Sequence, residues 1–332
     1  MSVKIIAEGE INHNGDVEIA KKLVESAKEC GADYIKFQCF VAKNFVAPGS
    51  SFLSIFEDNE MSLEDFKAVK IHAEKVGIAM ISTASDLLGL EMIEALDLPV
   101  IKVGSTNLTN EPLLEGIAKA GRPVWLSTGA STLGEVERAV EIVSSGTTDI
   151  TLFHCTVQYP AKDDQLNLRA IPTLKAAFPD LEVAYSDHTV GNHAAIAAVT
   201  LGATMIEKHF TLDNDMEGPD HGFSINPENF KTYIQDIRTT ETILGSARKA
   251  PSSDEVPLRL SARRYITTGR AIAKGEKIEA GMVLSRRIDV GQAKNPGLLL
   301  TPADEAKIVG WTITEDLADG DAVTLANCRP TV

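Results

Sequence analysis

The chain has no long hydrophobic run, no paired cysteines and no excess of basic charge, and each lack removes a class of protein. No stretch of its 332 residues approaches the roughly 20 apolar residues needed to span a bilayer; the nearest, Ala194 to Ile206, is broken by Gly202. The N-terminus runs from Met1 straight into a strand-like segment carrying Glu8 and Glu10, which is not a leader pattern. Its four cysteines, Cys30, Cys39, Cys155 and Cys328, form no CxxC pair and keep no regular spacing, so neither a zinc knuckle nor a disulfide framework is expected. A soluble, cytoplasmic protein without membrane partners is the expectation. A formal charge of -15 denies it the basic footprint that nucleic-acid backbones require. An anionic small substrate stays open, provided that a cleft gathers cations locally. No GxSxG, Ser-His-Asp or DxDxDG pattern is present, which sets hydrolases and calcium sensors aside.

What is present is alternation. To about Leu244, short apolar runs rich in β-branched residues alternate with amphipathic stretches of helical period, the mark of successive βαβ units. Eight strands are expected: Val3-Ala7, Tyr34-Gln38, Ile78-Ser82, Val100-Val103, Val124-Ser127, Ile150-Phe153, Glu182-Tyr185 and Met205-Lys208. Between them, Asp16 to Cys30 repeats apolar residues at helical spacing and stops at Gly31. Ser62 to Val76 opens on an acidic capping-box pattern, Ser62 with Asp65, and stops at Gly77. Eight units over residues 1–244 have the rhythm of a (β/α)8 TIM barrel. The competing open doubly wound sheet lacks its GxGxxG fingerprint, because Asn12-His13-Asn14-Gly15 follows the first strand. Residues 245–260, rich in Ser, Pro and charge, read as a linker. Residues 261–332, with Gly-centred turns at Ala271-Glu276 and Asp316-Asp321, read as a small, mostly β domain.

In such a barrel the active site lies at the C-terminal ends of the strands, and here nearly every strand ends in a polar residue. Because strand side chains alternate, Lys36 and Gln38 share a face, as do Ser186 and His188. His188 and His209 close neighbouring strands and could bring two imidazoles to one cation; the spacing is equally that of two independently satisfied histidines. An incomplete protein shell suits a Lewis-acid ion such as Mn2+ better than a closed structural zinc. Lys36 and Lys102, with Lys208 a third candidate, and the hydroxyls of Thr83, Ser105, Ser127 and Ser186 would hold a phosphate without a P-loop. Cys39 and Cys155 suggest packing.

Taken in order, these motifs resemble the sialic acid synthase family. They are Ile6-Ala7-Glu8 with Asn12-His13-Asn14-Gly15, Lys36-Phe37-Gln38, Ser82-Thr83, Lys102-Val103-Gly104-Ser105 and Ser127-Thr128-Gly129. They continue with His154-Cys155-Thr156, Tyr159-Pro160, Ser186-Asp187-His188-Thr189, Glu207-Lys208-His209-Phe210 and Gly218-Pro219-Asp220-His221. The resemblance implies a metal-dependent condensation of phosphoenolpyruvate with an N-acylated amino sugar, N-acetylmannosamine above all, to a nonulosonic acid. It assigns a divalent ion, Mn2+ first and Mg2+ or Co2+ next, to His188 and His209. It assigns catalysis to Glu8 and Lys102 with those histidines, and phosphoenolpyruvate to Lys36, Thr83, Lys102, Ser105 and Ser186. Gln38, Tyr159 and Asp220, with Glu8, fall to the sugar, and Asn107 joins the substrate-binding set. The C-terminal domain resembles the antifreeze-like (SAF, β-clip) module of that family, whose members are domain-swapped homodimers, so that Arg287 would reach the partner's sugar site.

Three positions depart from the family pattern: Glu10 where Gly or a small residue is usual, Asn107 where an acidic residue is usual, and Val157 where Asn or another polar residue is common. They motivate two other readings. One is a synthase for a diacetamido sugar of the legionaminic type, and the other is a catalytically silent sugar-binding scaffold. Ice binding by the C-terminal module is disfavoured by Lys274, Glu276, Lys277, Glu279, Arg286 and Arg287.

Overall fold

The computed structural model describes residues 2–331. Eight parallel strands, β1 (Lys4–Glu10), β2 (Tyr34–Cys39), β3 (Ala79–Ala84), β4 (Ile101–Val103), β5 (Val124–Ser127), β6 (Ile150–Cys155), β7 (Glu182–Asp187) and β8 (Met205–His209), close into a barrel with β8 paired to β1. Several strands run past the apolar core at their C-terminal ends. β1 reaches Glu10, β6 reaches Cys155, β7 reaches Asp187 and β8 reaches His209, because ladder pairing such as Glu8 with His209 continues into the polar rim.

Local chemistry sets the helix ends. Asp16 accepts from the amides of Glu18 and Ile19 to open helix Val17–Cys30, and Gly31 closes it at φ 96°. The capping box of Ser62 and Asp65 forms, and Gly77 ends that helix at φ 80°. The helices pack their apolar faces on the outer faces of the strands, where Ile35, Phe37, Val183 and Tyr185 join the main core.

The interior of the barrel is stratified. Ile6, Ile81, Val100, Trp125, Phe153 and Ala184, with Tyr34 and Met205, form an apolar floor. Two residues further along each strand the side chains point the same way, so the next layer reads Glu8, Lys36, Thr83, Lys102, Ser127, Cys155, Ser186 and Glu207. The period of two therefore places a charged layer directly on an apolar plug.

The chain divides into two compact units, one ending at Gly245 and the next beginning at Ser246. The second holds two antiparallel pairs, β9 (Tyr265–Thr268) with β10 (Val283–Arg286) and β11 (Thr312–Ile313) with β12 (Cys328–Arg329), around a core that includes Ile266, Ile278 and Val323. Its Gly-centred turns are neighbours: Ile272 bridges Leu317, and Lys274 N donates to Asp316 at 2.7 Å. The stretch read as linker runs into a helix, Glu255–Ala262. Ser252 and Glu255 exchange side-chain and backbone hydrogen bonds at its start, so part of the Ser-rich composition there caps a helix.

Candidate active site and cation centre

Above the floor, the upper ends of the strands enclose a cavity of about 190 Å3. It is lined by Glu8, Glu10, Lys36, Gln38, Thr83, Lys102, Ser105, Asn107, Ser127, Tyr159, Ser186, His188, Glu207 and His209. Twelve of the thirteen residues that the resemblance assigns are therefore in the first unit, eleven around the cavity with Asp220 beside His209, while Arg287 lies in the second.

Glu207, which sequence reading passed over, organises the charged layer. Its Oε1 accepts from Lys102 Nζ at 3.0 Å and from Ser186 Oγ at 2.9 Å, and its Oε2 lies 3.2 Å from Lys36 Nζ. Lys102 also donates to Ser127 Oγ at 2.8 Å, and Lys36 is ion-paired to Glu8. All four charged side chains are at most 5% exposed. Burial opposes the charge on Lys36, but Glu207 and Glu8 hold its pKa above the ordinary value. Burial lowers that of Lys102 against the pull of Glu207. Burial likewise opposes ionisation of Glu8, yet Lys36, with His209 and Lys102 behind it, keeps its carboxyl well below the usual range. The signal that identifies Glu207 is parity: it stands two residues before His209 on one strand and must share its face.

Parity also corrects Lys208. Lying between Glu207 and His209, it faces outward, where it pairs with Asp187 at 3.0 Å and sits 5.5 Å from the Tyr233 ring. Asp187 also accepts from Tyr233 Oη at 2.8 Å and from Thr189 Oγ1 at 2.7 Å. This buried clamp lines a separate cavity of about 420 Å3 and contributes no cation to the charged layer.

A second correction concerns Cys155, which lines the cavity in contact with Ser105 Oγ at 3.0 Å. Ser105 Oγ in turn accepts from Gly129 N at 3.1 Å. Gln38 Nε2 donates to Ser85 Oγ at 2.7 Å, and Asn107 Nδ2 donates to Ser85 O at 3.2 Å. Asn107 is thus a buried hydrogen-bonding group with no proton to exchange. In the second unit, Arg287 Nε donates to Ser261 O at 3.3 Å.

Glu8, His188 and His209 each offer a ligand atom, all within 4.8 Å of one another. The donor set fits a divalent cation. His188 Nδ1–H donates to Thr156 O at 2.7 Å, which fixes the ring and leaves Nε2 with its lone pair, the arrangement in which imidazoles bind metals. His209 is buried and, among the described residues, its Nδ1 has no hydrogen-bond partner. Burial keeps both rings neutral, lowering His188 and taking His209 down to about 3. Tyr159, on a cis peptide bond to Pro160, lays its ring 4.4 Å from that of His188, and Phe223 stands 5.1 Å from that of His209. Phe223 follows the Gly-Pro-Asp-His motif and carries no sequence signal of its own. Asp220 Oδ2 is 3.9 Å from His209 Nδ1; burial and Glu8 push its carboxyl up to about 7. Burial and the carboxylates of Glu8 and Asp220 push Glu10 well above its usual range.

With the site described, its kinship can be measured. Residues 23–249 match the model of the NeuB family. The chain is 40% identical to an N,N'-diacetyllegionaminic acid synthase of Campylobacter jejuni, over 85% of this chain and 90% of that one. It is 38% identical to an N,N'-diacetyllegionaminic acid synthase of Legionella pneumophila, over 96% and 93%. Among solved structures, an N-acetylneuraminic acid (sialic acid) synthetase from Leptospira borgpetersenii superposes with a TM-score of 0.75 at 30% identity, over 79% of this chain and 93% of that one. The chain belongs to the NeuB family, the sialic acid synthases whose motifs line its barrel.

Proposed function

We propose that this enzyme condenses phosphoenolpyruvate with the open-chain form of an N-acetylated amino sugar, releasing phosphate and a nonulosonic acid. The carrying observation is that a lysine pair braced by Glu207 and a Glu8–His188–His209 donor set share one cavity of about 190 Å3. At the coarser level, the chain is a phosphoenolpyruvate-utilising, metal-dependent enzyme that forms a carbon–carbon bond.

In this reading Lys36 and Lys102 hold the anionic groups of phosphoenolpyruvate, with the hydroxyls of Thr83, Ser105, Ser127 and Ser186 donating around them. Glu207 fixes both ammoniums before substrate arrives, so little reorganisation is left for the reaction itself. His188, His209 and Glu8 would hold a divalent ion, Mn2+ by preference, which would supply Lewis acidity toward the aldehyde oxygen of the acceptor. Gln38, Tyr159 and Asp220 orient that acceptor, and Asn107 braces the adjoining loop. The enol carbon attacks the acceptor's C1; the new bond forms as the carbonyl pair moves to oxygen, which takes up a proton. Water, positioned by the Glu8 carboxylate that Lys36 keeps ionised, adds to the resulting oxocarbenium carbon and loses one proton, which balances the one taken up at the acceptor's oxygen. The tetrahedral intermediate then expels phosphate by breaking its C–O bond, its hydroxyl proton passing to the leaving phosphate, and leaves the 2-keto acid. Arg287 reaches the N-acyl group from the partner subunit of a domain-swapped homodimer.

Two acceptors are to be separated. The motifs point to N-acetylmannosamine. The names of the Campylobacter and Legionella relatives, with the apolar Val157 at the cavity wall, favour a diacetamido hexose. Metal-stripped protein is given phosphoenolpyruvate, Mn2+ and each acceptor in turn, and phosphate and 2-keto acid are followed together. Matched, Mn2+-dependent release with one acceptor identifies it; phosphoenolpyruvate binding without release on either supports the silent scaffold.

A further inference from the structure

We propose that Glu10 is a further ligand of the cation held by Glu8, His188 and His209, so that the protein side of the centre consists of two imidazoles and two carboxylates. The inference rests on the cation reading above and adds a residue to it.

The register of β1 against β2 shifts between Glu8 and Glu10, and the result brings both carboxylates to the same ring. Glu8 Oε2 and Glu10 Oε2 each lie 3.5 Å from His209 Nε2. Glu10, His209 and Asp220 also form a group whose ligand atoms lie within 4.8 Å of one another, and it shares His209 with the Glu8–His188–His209 group. The His209 side chain is 5% exposed; its Nε2 faces the two glutamates, while its Nδ1, without a hydrogen-bond partner among the described residues, faces Asp220 at 3.9 Å. Among the described residues Glu10 has no lysine or arginine within 4.0 Å, although Glu8, beside it, has Lys36. A carboxyl group three-quarters removed from solvent, beside another carboxyl and with no lysine or arginine of the described residues to pair with it, is one that an external cation would satisfy.

The backbone agrees. Glu10 adopts φ 35°, in the left-handed region that a glycine occupies freely and a glutamate only at a cost. The conformation thus suits the Gly usual in the resembling family, and what this chain adds there is the carboxylate alone. A set of two nitrogens and two oxygens suits Mn2+ and its first-row neighbours, and in an octahedral shell it leaves two positions for substrate and water.

The test needs no turnover. Metal-free wild type, Glu10→Gln, Glu10→Gly and His188→Ala are titrated with Mn2+ alone, and free aqueous ion is counted by electron paramagnetic resonance. The expected result is one ion per chain in the wild type, bound roughly 10- to 100-fold more weakly by both Glu10 variants, with unfolding midpoints of the metal-free variants no lower than that of the wild type. Unchanged affinity in both Glu10 variants, with binding lost in His188→Ala, overturns the role of Glu10 while the cation centre stands. A second ion that alone vanishes in the Glu10 variants overturns it too, by placing Glu10 on a separate site. No binding by the wild type removes the cation centre and this proposal together.

Discussion

At the residue scale the informative side chain is Glu207. It is the counter-charge to two buried ammoniums, so Glu207→Gln keeps the shape and removes what neutralises them. Breaking one side of such a pair costs on the order of 3 kcal/mol, and chemical denaturation of the substrate-free variant should show a loss of about that size. Phosphoenolpyruvate should then stabilise the variant more than it stabilises the wild type, since its negative charge takes the place of the missing carboxylate. An equal increment in both proteins would mean that Lys36 and Lys102 do not meet the substrate. The motif containing Glu207 is visible in the sequence, but its role is not. A glutamate between an apolar strand and a histidine acquires meaning only when β8 is placed next to β1 and across from β4.

At the element scale, β7 and β8 carry chemistry on one face and structure on the other. His188 and Glu207 point into the barrel, while Asp187 and Lys208 point to the helix Pro227–Leu244 that supplies Tyr233. Lys208→Met should therefore cost about 3 kcal/mol of stability, because Asp187 is left buried without its cation. It should leave the KM for phosphoenolpyruvate unchanged, as a joint measurement of denaturation and steady-state kinetics would show. Barrel strands and capped helices were readable because period and capping are local: Asp16 with Gly31, and Ser62 with Asp65, act within a single turn of chain. The face of Lys208 was readable too, from its odd step relative to His209. The helix Glu255–Ala262 was obscured because Ser and Pro suit a tether and a helix N-terminus alike.

At the scale of the whole molecule, buried neutral histidines tie stability to pH. His13 packs against Phe37 and Phe66, and burial lowers its pKa from 6.5 to about 4. As pH falls below 6.5 the unfolded chain takes a proton that the folded chain refuses, so the stability present at neutral pH is lost between 6.5 and 4. At pH 5 this ring alone accounts for about 2 kcal/mol, and His13→Gln should flatten that part of a stability profile measured from pH 7 to 5. A second whole-molecule expectation follows from the proposed swap. Arg287→Ala and His188→Ala, each inactive alone, should recover about a quarter of wild-type activity when their subunits are exchanged, because half of the dimers then own one intact site. No recovery in subunits shown to have exchanged would place Arg287 on its own barrel.

The apolar floor of Ile6, Tyr34, Ile81, Trp125 and Phe153 has a kinetic corollary. A chamber closed at its base by that floor is filled from the strand ends inward. Lys102 and Lys36 stand at the inner end, nearly without solvent contact, whereas Tyr159 is half exposed at the threshold. If Lys36 and Lys102 hold the phosphate as proposed, the phosphoryl compound is expected to enter before the sugar and its freed phosphate to leave after the sugar product, so that inorganic phosphate competes for the empty inner berth with the next phosphoenolpyruvate.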